Sequence, residues 1–140
     1  MSHILEVIRN LMEMKNNLQV YHWNTKSYAK HKATDELITS LSNHIDKFVE
    51  VYLGVNPNSK IQISNINIRD YDDKQLTSAL IQVNNMMSTV KEQDYSVKKG
   101  SASKGSLLRG TSYKVTSDLV NIKEEIVADI HRTLYLLTLS

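Results

Sequence analysis

The glycines and the proline of this 140-residue chain fall in two short windows, and that placement limits its fold more than any other feature. Gly54 and Pro57 lie in the first window, and Gly100, Gly105 and Gly110 lie in the second. Glycine and proline are the strongest local signals of a break in regular structure. They divide the chain into three long pieces, which are 1–53, 58–99 and 111–140.

Apolar residues recur within these pieces at spacings of three, four and seven, the period of a helix with one buried face. We predict four helices, near 3–24, 28–54, 73–96 and 112–138, in an up-and-down arrangement. Their apolar stripes are Ile4, Ile8, Leu11, Leu18, Tyr21; Leu37, Leu41, Ile45, Phe48, Tyr52; Leu76, Leu80, Val83, Met87, Val90; and Val115, Leu119, Ile122, Ile126, Ile130, Leu137. Polar residues within 24–28 can cap the second helix, and Asp72 and Asp73 can cap the third. The predicted fold is all-α, a four-helix bundle with a longer connection between helices two and three.

Two stretches fall outside this helical pattern. Within 58–69, isoleucines alternate, as at Ile61 and Ile63, which fits either a short extended segment or a fragment of helix. The stretch 98–110, KKGSASKGSLLRG, is of low complexity and is predicted to be a flexible loop. The whole chain, 1–140, has the length of a single domain.

Composition excludes several classes of protein. The chain is 41% apolar and 23% charged, which is typical of a globular protein rather than a disordered one. It has no cysteine, which excludes disulfides, thiolate zinc sites and iron–sulfur clusters. Its net charge of +2 is too small to indicate nucleic-acid binding by itself. With neither a signal peptide nor a run of about 18 apolar residues, we expect a cytoplasmic protein that does not enter the membrane.

Candidate metal ligands concentrate in the second predicted helix as two pairs, each one turn apart. His31 and Asp35 form the first pair, and Asp46 and Glu50 form the second. An i, i+4 pair places two side chains on the same face of a helix, where both can hold one ion. On a helical wheel with His31 at zero, the other three fall at about 40°, 60° and 100°, whereas the apolar stripe centres at about 280°. The four side chains therefore form a face turned away from the core.

The two pairs are too far apart to hold one ion within a single chain. Asp35 and Asp46 lie about 16 Å apart along a helix, whereas metal–ligand bonds are about 2.0–2.6 Å long. A second, antiparallel copy of the helix, related by a two-fold axis near 40–41, brings 31/35 of one chain beside 46/50 of the other. His22, at the end of the first helix, is a candidate to complete each site.

The same residues also admit a purely structural interpretation. A carboxylate or histidine that faces away from the core is usually solvated, and Asp46 and Glu50 beside Lys47 fit an exposed ion-paired surface. His44 and His131 lack a comparable pairing, so we interpret both as non-ligands.

The chain resembles the Dps-type mini-ferritins at the residues of their ferroxidase motif. The matching strings are His22-Trp23-Asn24, His31-x3-Asp35 and Asp46-x3-Glu50, and they lie within 21–50. The resemblance implies a ferritin-like four-helix bundle that binds metal between subunits. By it, the ligands would be His22, His31 and Asp35 of one chain with Asp46 and Glu50 of its two-fold mate. The strings HWNTKSYAKHKATDE and TLYLLTL are also similar to uncharacterised ferritin-like proteins of phages and large DNA viruses.

Three functions follow as hypotheses. The resemblance implies a homo-oligomer, at least a two-fold dimer through helix two, that binds Fe²⁺ for oxidation by peroxide or oxygen; Zn²⁺ and Mn²⁺ are alternative ions. The alternative is a non-catalytic structural or interaction bundle whose sites are vestigial or hold a structural ion. A viral component is one example, and it would be located in the virion. The third is non-specific nucleic-acid binding through the basic residues of the predicted loop, which are Lys98, Lys99, Lys104 and Arg109.

Overall fold

Four helices make up almost all of the regular structure in the computed structural model, which describes residues 3–94 and 113–139. They are α1 (His3–Asn24), α2 (Tyr28–Val55), α3 (Asp73–Met87) and α4 (Ser117–Leu137). Two short strands, β1 (Gln93–Asp94) and β2 (Lys114–Val115), pair in antiparallel register. The predicted all-α class and the bounds of the first two helices are confirmed. The predicted flexible loop 98–110, with its four basic residues, lies outside the described residues.

Side-chain caps explain where α2 and α3 begin. The backbone N–H of Lys30 donates to the Ser27 hydroxyl over 3.2 Å, which caps α2. Asp72 caps α3 in a capping box: its carboxylate accepts from the Gln75 N–H (2.8 Å), and the Gln75 side chain accepts from the Asp72 N–H (2.9 Å). Such caps satisfy amide groups that have no partner within the helix. Both caps come from the residues that the sequence indicated.

The core lies where the four apolar stripes meet. Helix α1 packs against α2 and α3, and α4 packs against the same two helices, so the bundle is four-sided. The predicted stripe residues that are buried are Ile4, Ile8, Leu11, Leu18, Tyr21, Leu37, Leu41, Ile45, Phe48, Tyr52, Leu76, Leu80, Val83, Met87, Val90, Val115, Leu119, Ile122, Ile126 and Ile130. Leu137 is only partly buried. Among the described helices, none combines the length and apolar character that crossing a membrane requires.

Helices α2 and α3 run in the same direction, so the predicted up-and-down arrangement is wrong. Lys30 at the start of α2 binds Asp73 at the start of α3 (2.6 Å). At the opposite end of the bundle, Asn56 after α2 binds Lys114, in the strand pair that follows α3. The chain therefore returns along the length of the bundle between the two helices. It does so in residues 56–72, here called the crossing segment, which is the longer connection that the sequence predicted.

The crossing segment contains neither a helix nor a strand, so its alternating isoleucines are not the helix fragment that their pattern also allowed. Side chains of α1 hold its backbone in place. The N–H of Asn67 donates to the Glu13 carboxylate (2.8 Å), and the N–H of Arg69 donates to the Asn17 side-chain oxygen (2.7 Å). The Asn17 amide donates in turn to the Tyr71 hydroxyl (3.3 Å). Since α1 supplies these partners, the segment needs no neighbouring strand.

Helices α3 and α4 are shorter than predicted at their facing ends. Helix α3 ends at Met87 rather than near 96, and α4 begins at Ser117 rather than near 112. Val90 and Val115 explain the error, because both are buried, at 1% and 2% exposure, yet lie in a turn and a strand. The Thr89 hydroxyl donates to a carbonyl of the last turn of α3 (2.6 Å), which favours termination there.

The side chain of Asn56 forms hydrogen bonds with both backbone groups of Lys114, as a neighbouring strand would. Its amide donates to the Lys114 carbonyl (2.9 Å), and its oxygen accepts from the Lys114 N–H (2.6 Å). The same amide donates to the Tyr52 carbonyl at the end of α2 (3.0 Å). Because Asn56 is buried, with 8% exposure, these bonds are shielded from water.

We predict that Asn56→Ala lowers the free energy of unfolding by about 2–3 kcal/mol, because it leaves shielded backbone groups without partners. Urea denaturation followed by circular dichroism measures the change. The matched control is Asn58→Ala, two residues on at an exposed position, which should change stability by less than about 0.5 kcal/mol. Equal effects of the two substitutions would contradict the bridging role of Asn56.

Candidate metal centre

His22 and His31 clamp the end of α1 to the beginning of α2. The Nδ1 of His22 lies 2.8 Å from the backbone carbonyl oxygen of His31, and the Nδ1 of His31 lies 2.8 Å from that of His22. The two rings are stacked, with centroids 3.8 Å apart and an angle of 19° between their planes. The structure therefore brings together two predicted ligands that come from different helices.

The reciprocal bonds fix which nitrogen of each ring carries the proton. A backbone carbonyl can only accept a hydrogen bond, so each Nδ1 must be the protonated nitrogen. In the neutral ring, Nε2 then carries a lone pair, and neither Nε2 has a hydrogen-bond partner within residues 3–94 and 113–139. Metal-binding histidines commonly donate their other N–H to a backbone carbonyl in this way. In each neutral ring, Nε2 is therefore the nitrogen whose lone pair is left without a hydrogen bond among the described residues.

Thr34 completes the surroundings of the histidine pair. Its hydroxyl is within 3.3 Å of the His22 Nδ1 and also donates to the Lys30 carbonyl (2.8 Å). Thr34 is fully buried and His22 is 9% exposed, whereas the His31 side chain is exposed. The pair is thus anchored on its His22 side and open on its His31 side.

A second contact joins three helices beside the histidine pair. The Tyr21 hydroxyl donates to Asp73 (2.7 Å), and the Lys30 ammonium binds the other oxygen of the same carboxylate (2.6 Å). Burial and the hydrogen bond to Asp73 raise the pKa of Tyr21 to about 12 from 10.0. The hydrogen bonds from Lys30 and Tyr21 hold the pKa of Asp73 below its usual value. The sequence did not indicate this contact, because Asp73 is 43 residues beyond Lys30 along the chain.

The predicted carboxylate ligands are separated as the helical geometry requires. Asp35 lies one turn beyond His31 and is exposed, and Asp46 and Glu50 are exposed further along α2. In the described part of one chain, no group of three or more His, Cys, Asp or Glu side chains is placed to hold a metal ion. One chain therefore presents His31 and Asp35 at one end of the exposed face of α2, beside His22 of α1, and Asp46 and Glu50 further along that face.

His44 participates in a different arrangement, between α2 and α4. Its Nε2 lies 3.0 Å from Glu125, and its Nδ1 lies 2.9 Å from Asp129, which also accepts a hydrogen bond from Ser40. Both ring nitrogens are thus engaged by α4 carboxylates. The sequence could not indicate this contact, since it requires knowing that α2 and α4 pack side by side.

We predict that His22 and His31 are both Nδ1–H tautomers when neutral, because their carbonyl partners cannot donate. Long-range ¹H–¹⁵N NMR correlation of histidine-labelled protein distinguishes the two tautomers. The exposed His131 provides a reference ring in the same spectrum. Protonation of Nε2 in either neutral ring would contradict the reciprocal clamp.

We also predict that stability falls as the pH rises from about 10 to about 12. The pKa of Tyr21 is raised in the folded protein, so the unfolded chain loses the phenolic proton first and is favoured as the pH rises through this range. Tyr21 should titrate near pH 12 by tyrosinate absorbance. Tyr21→Phe should remove that step, and the control Tyr28→Phe should keep it. A step near 12 in the Tyr21→Phe protein would refute the assignment.

Comparison with known proteins places these residues in a recognised family. One relative is an uncharacterised 14.6 kDa protein of Enterobacteria phage T4, encoded in the mobD-ri intergenic region, which is 45% identical over 49 residues. That match covers 35% of this chain and 38% of the phage protein. No solved structure matches the chain. A family described as of unknown function, DUF5856, matches residues 22–115, a range that begins at His22 and includes the other four candidate ligands. Because that range is more than half of the chain, the protein belongs to the DUF5856 family.

Proposed function

We propose that this protein binds a divalent metal ion, with Fe²⁺ as its substrate, at a site shared between two copies of the chain. His22, His31 and Asp35 of one copy face Asp46 and Glu50 of the other. The proposal extends to a ferritin-like bundle, which the long crossing segment between α2 and α3 supports, since ferritin-like folds contain one long crossover.

The reciprocal hydrogen bonds of His22 and His31 are the observation that carries the proposal. An ordinary surface histidine has no need of a fixed tautomer, yet here two rings have their Nδ1 protons directed to carbonyls 2.8 Å away. Their Nε2 lone pairs are left for a ligand, and Asp35 stands one turn further along the same face. This donor set, two imidazoles and a carboxylate, fits Fe²⁺, Mn²⁺ and Zn²⁺.

The second copy supplies what a single chain lacks. The antiparallel pairing of α2 about a two-fold axis near 40–41 brings Asp46 and Glu50 to the histidines and Asp35 of the other chain. The contact is isologous, so it forms two equivalent sites in each dimer. Each site then has two nitrogen and three carboxylate ligands, a set that accepts Fe²⁺.

Iron bound in this way would be available for oxidation. The carboxylates would stabilise the added charge of Fe³⁺. Each Fe²⁺ gives up one electron, so two ions with two protons would reduce one hydrogen peroxide to two waters, or one O₂ to hydrogen peroxide. Oxidation and sequestration of iron are therefore the activity that we propose for the assembled protein, either in the cytoplasm or in a virion.

A non-catalytic structural role is the second candidate. Two observations favour it: the described part of one chain holds no complete metal-binding group, and one relative is an uncharacterised phage protein. In that case the bundle is an interaction component of a viral particle. Elemental analysis of protein purified without chelator separates the candidates, because only the first requires bound metal at the level of one ion or more per chain.

We predict that ligands from two chains complement each other. Asp35→Ala and Glu50→Ala should each weaken metal binding by at least about tenfold, because every site of either homodimer lacks one ligand. After subunit exchange, a mixed dimer has one site without both ligands and one site with all of them. Metal binding measured by equilibrium dialysis should therefore recover in the mixture.

The expected recovery corresponds to one normal site in each mixed dimer. Mixed dimers that bind no better than either parent would show that the ligands are not shared between chains. If neither substitution changes metal binding, these residues are ordinary surface and the structural role is correct.

A further inference from the structure

The face of α2 that carries the candidate ligands also carries apolar side chains. Ile38, Val49 and Leu53 are only partly buried against the core of their own chain. On the wheel with His31 at zero they fall at about 340°, 0° and 40°, among the candidate ligands. At the start of the helix, Tyr28 falls at about 60° and is 77% exposed. This mixture of half-covered apolar groups and one exposed aromatic ring is typical of a surface that packs against a partner.

The alignment of two antiparallel α2 helices that brings the ligand pairs together also places apolar side chains of the two copies opposite each other. Pairing His31 with Glu50 and Asp35 with Asp46 of a second copy brings Tyr28 opposite Leu53 of that copy. Nothing in the choice of ligands required this match, since neither Tyr28 nor Leu53 was used to find the register. The occupant that this face fits is therefore a second copy of the same chain, antiparallel to the first.

The residues at the centre of this register allow the two helices to approach closely. Thr39 of one copy lies opposite Ser42 of the other, and both side chains are small. Thr39 is exposed and Ser42 is half-buried, so both can take part in the contact. Helices approach within about 8–10 Å when the side chains between them permit it.

The same register brings like charges together. In each half of the contact, Asp35 lies opposite Asp46, and Glu50 lies beside them near His31. Lys32 and Lys47, which are both exposed, are the cations of α2 nearest to this group, at about 100° and 160° on the wheel. Three carboxylates and two ammonium groups leave a charge of −1 in each half, which one divalent cation more than cancels.

Apart from Lys32 and Lys47, the charged groups beside this face are paired with one another. Glu36 is paired with Arg132 of α4 (2.9 Å). Glu125 and Asp129, also on α4, are both within 3.0 Å of His44. Lys30 is bound to Asp73 on α3. These groups lie to the sides of the ligand face rather than on it.

We propose that a divalent cation controls self-association of this protein. Without the ion, Asp35 and Asp46 of opposing copies repel each other and the chains separate; with it, the two copies dock, and Tyr28 of each covers Leu53 of the other. The inference rests on the proposed function, because it uses the same interchain ligands. It adds that the dimer forms only when the divalent cation is bound, and that an apolar contact outside the metal site stabilises the dimer.

The test measures metal binding and association in the same samples. The chain is studied by sedimentation velocity with Mn²⁺, which resists oxidation in air, and with EDTA, while equilibrium dialysis measures bound Mn²⁺. We expect a dimer with Mn²⁺ and a monomer with EDTA, with the dimer dissociation constant differing by at least about tenfold. If the chain binds Mn²⁺ but dimerises equally with Mn²⁺ and with EDTA, metal-dependent dimerisation is overturned and the proposed function stands. A monomer that binds Mn²⁺ overturns both, and a chain that binds no Mn²⁺ overturns the proposed function itself.

Substitution of one carboxylate separates repulsion from metal binding. Asp46→Asn removes the like charge from both halves of the contact, so its dissociation constant in EDTA should be at least about tenfold lower than that of the unmodified chain. Glu36→Gln is the matched control, since it removes a carboxylate of α2 that is bound to Arg132 instead; its dimerisation should still depend on Mn²⁺. If the two variants have the same dimer dissociation constant in EDTA, repulsion between Asp35 and Asp46 does not keep the metal-free chains apart, and the proposal is overturned.

The apolar contact has its own pair of variants. Tyr28→Ala should weaken the Mn²⁺-loaded dimer by at least about fivefold while dialysis still detects bound metal. Tyr135→Ala is the control, a tyrosine of similar exposure (63%) on α4. Because both side chains are exposed, neither change should unfold the bundle. Equal dissociation constants for the two variants would place the interface elsewhere.

Discussion

The paired hydrogen bonds between His22 and His31 join α1 to α2, and the other features of the candidate centre depend on that junction. Each histidine uses its backbone carbonyl to hold the ring of the other, so a ring that turns loses its hydrogen bond and its stacking contact. The turn between the helices is only three residues long, 25–27. A short turn and a stacked ring pair together fix the angle at which α2 leaves α1, and hence the direction of the exposed face of α2.

The Tyr21–Asp73–Lys30 contact extends this constraint to the third helix. It ties the start of α3 to the same end of the bundle, although the chain has travelled the full length of α2 before it arrives there. The crossing segment is therefore a consequence of where α3 must begin. Its length allows α2 and α3 to run in parallel, which a short loop could not do.

Sequence periodicity predicted the helices and the core well, because burial of an apolar stripe is a local property. It failed where a residue entered the core without being helical, as Val90 and Val115 do. Periodicity could not give the direction of α3, because the sequence pattern of the crossing segment does not show at which end of the bundle α3 begins.

Some features of the candidate site were likewise predictable from local spacing, and others were not. The spacing of His31, Asp35, Asp46 and Glu50 predicted a shared exposed face, and all four side chains are exposed on α2. The stacking of His22 on His31 and the engagement of His44 by α4 depend on contacts between helices. Those contacts are set by packing, which a single sequence does not display.

The hydrogen bonds between α1 and the crossing segment run from backbone to side chain, and this has a consequence for how the segment can diverge. Glu13 and Asn17 accept from the main-chain N–H groups of residues 67 and 69, not from their side chains. Any residue with an amide hydrogen at these two positions preserves the attachment, so only proline is forbidden there on this account. The attachment is thus encoded almost entirely in α1, and relatives of this chain could carry unrelated side chains at 67 and 69 and still follow the same path.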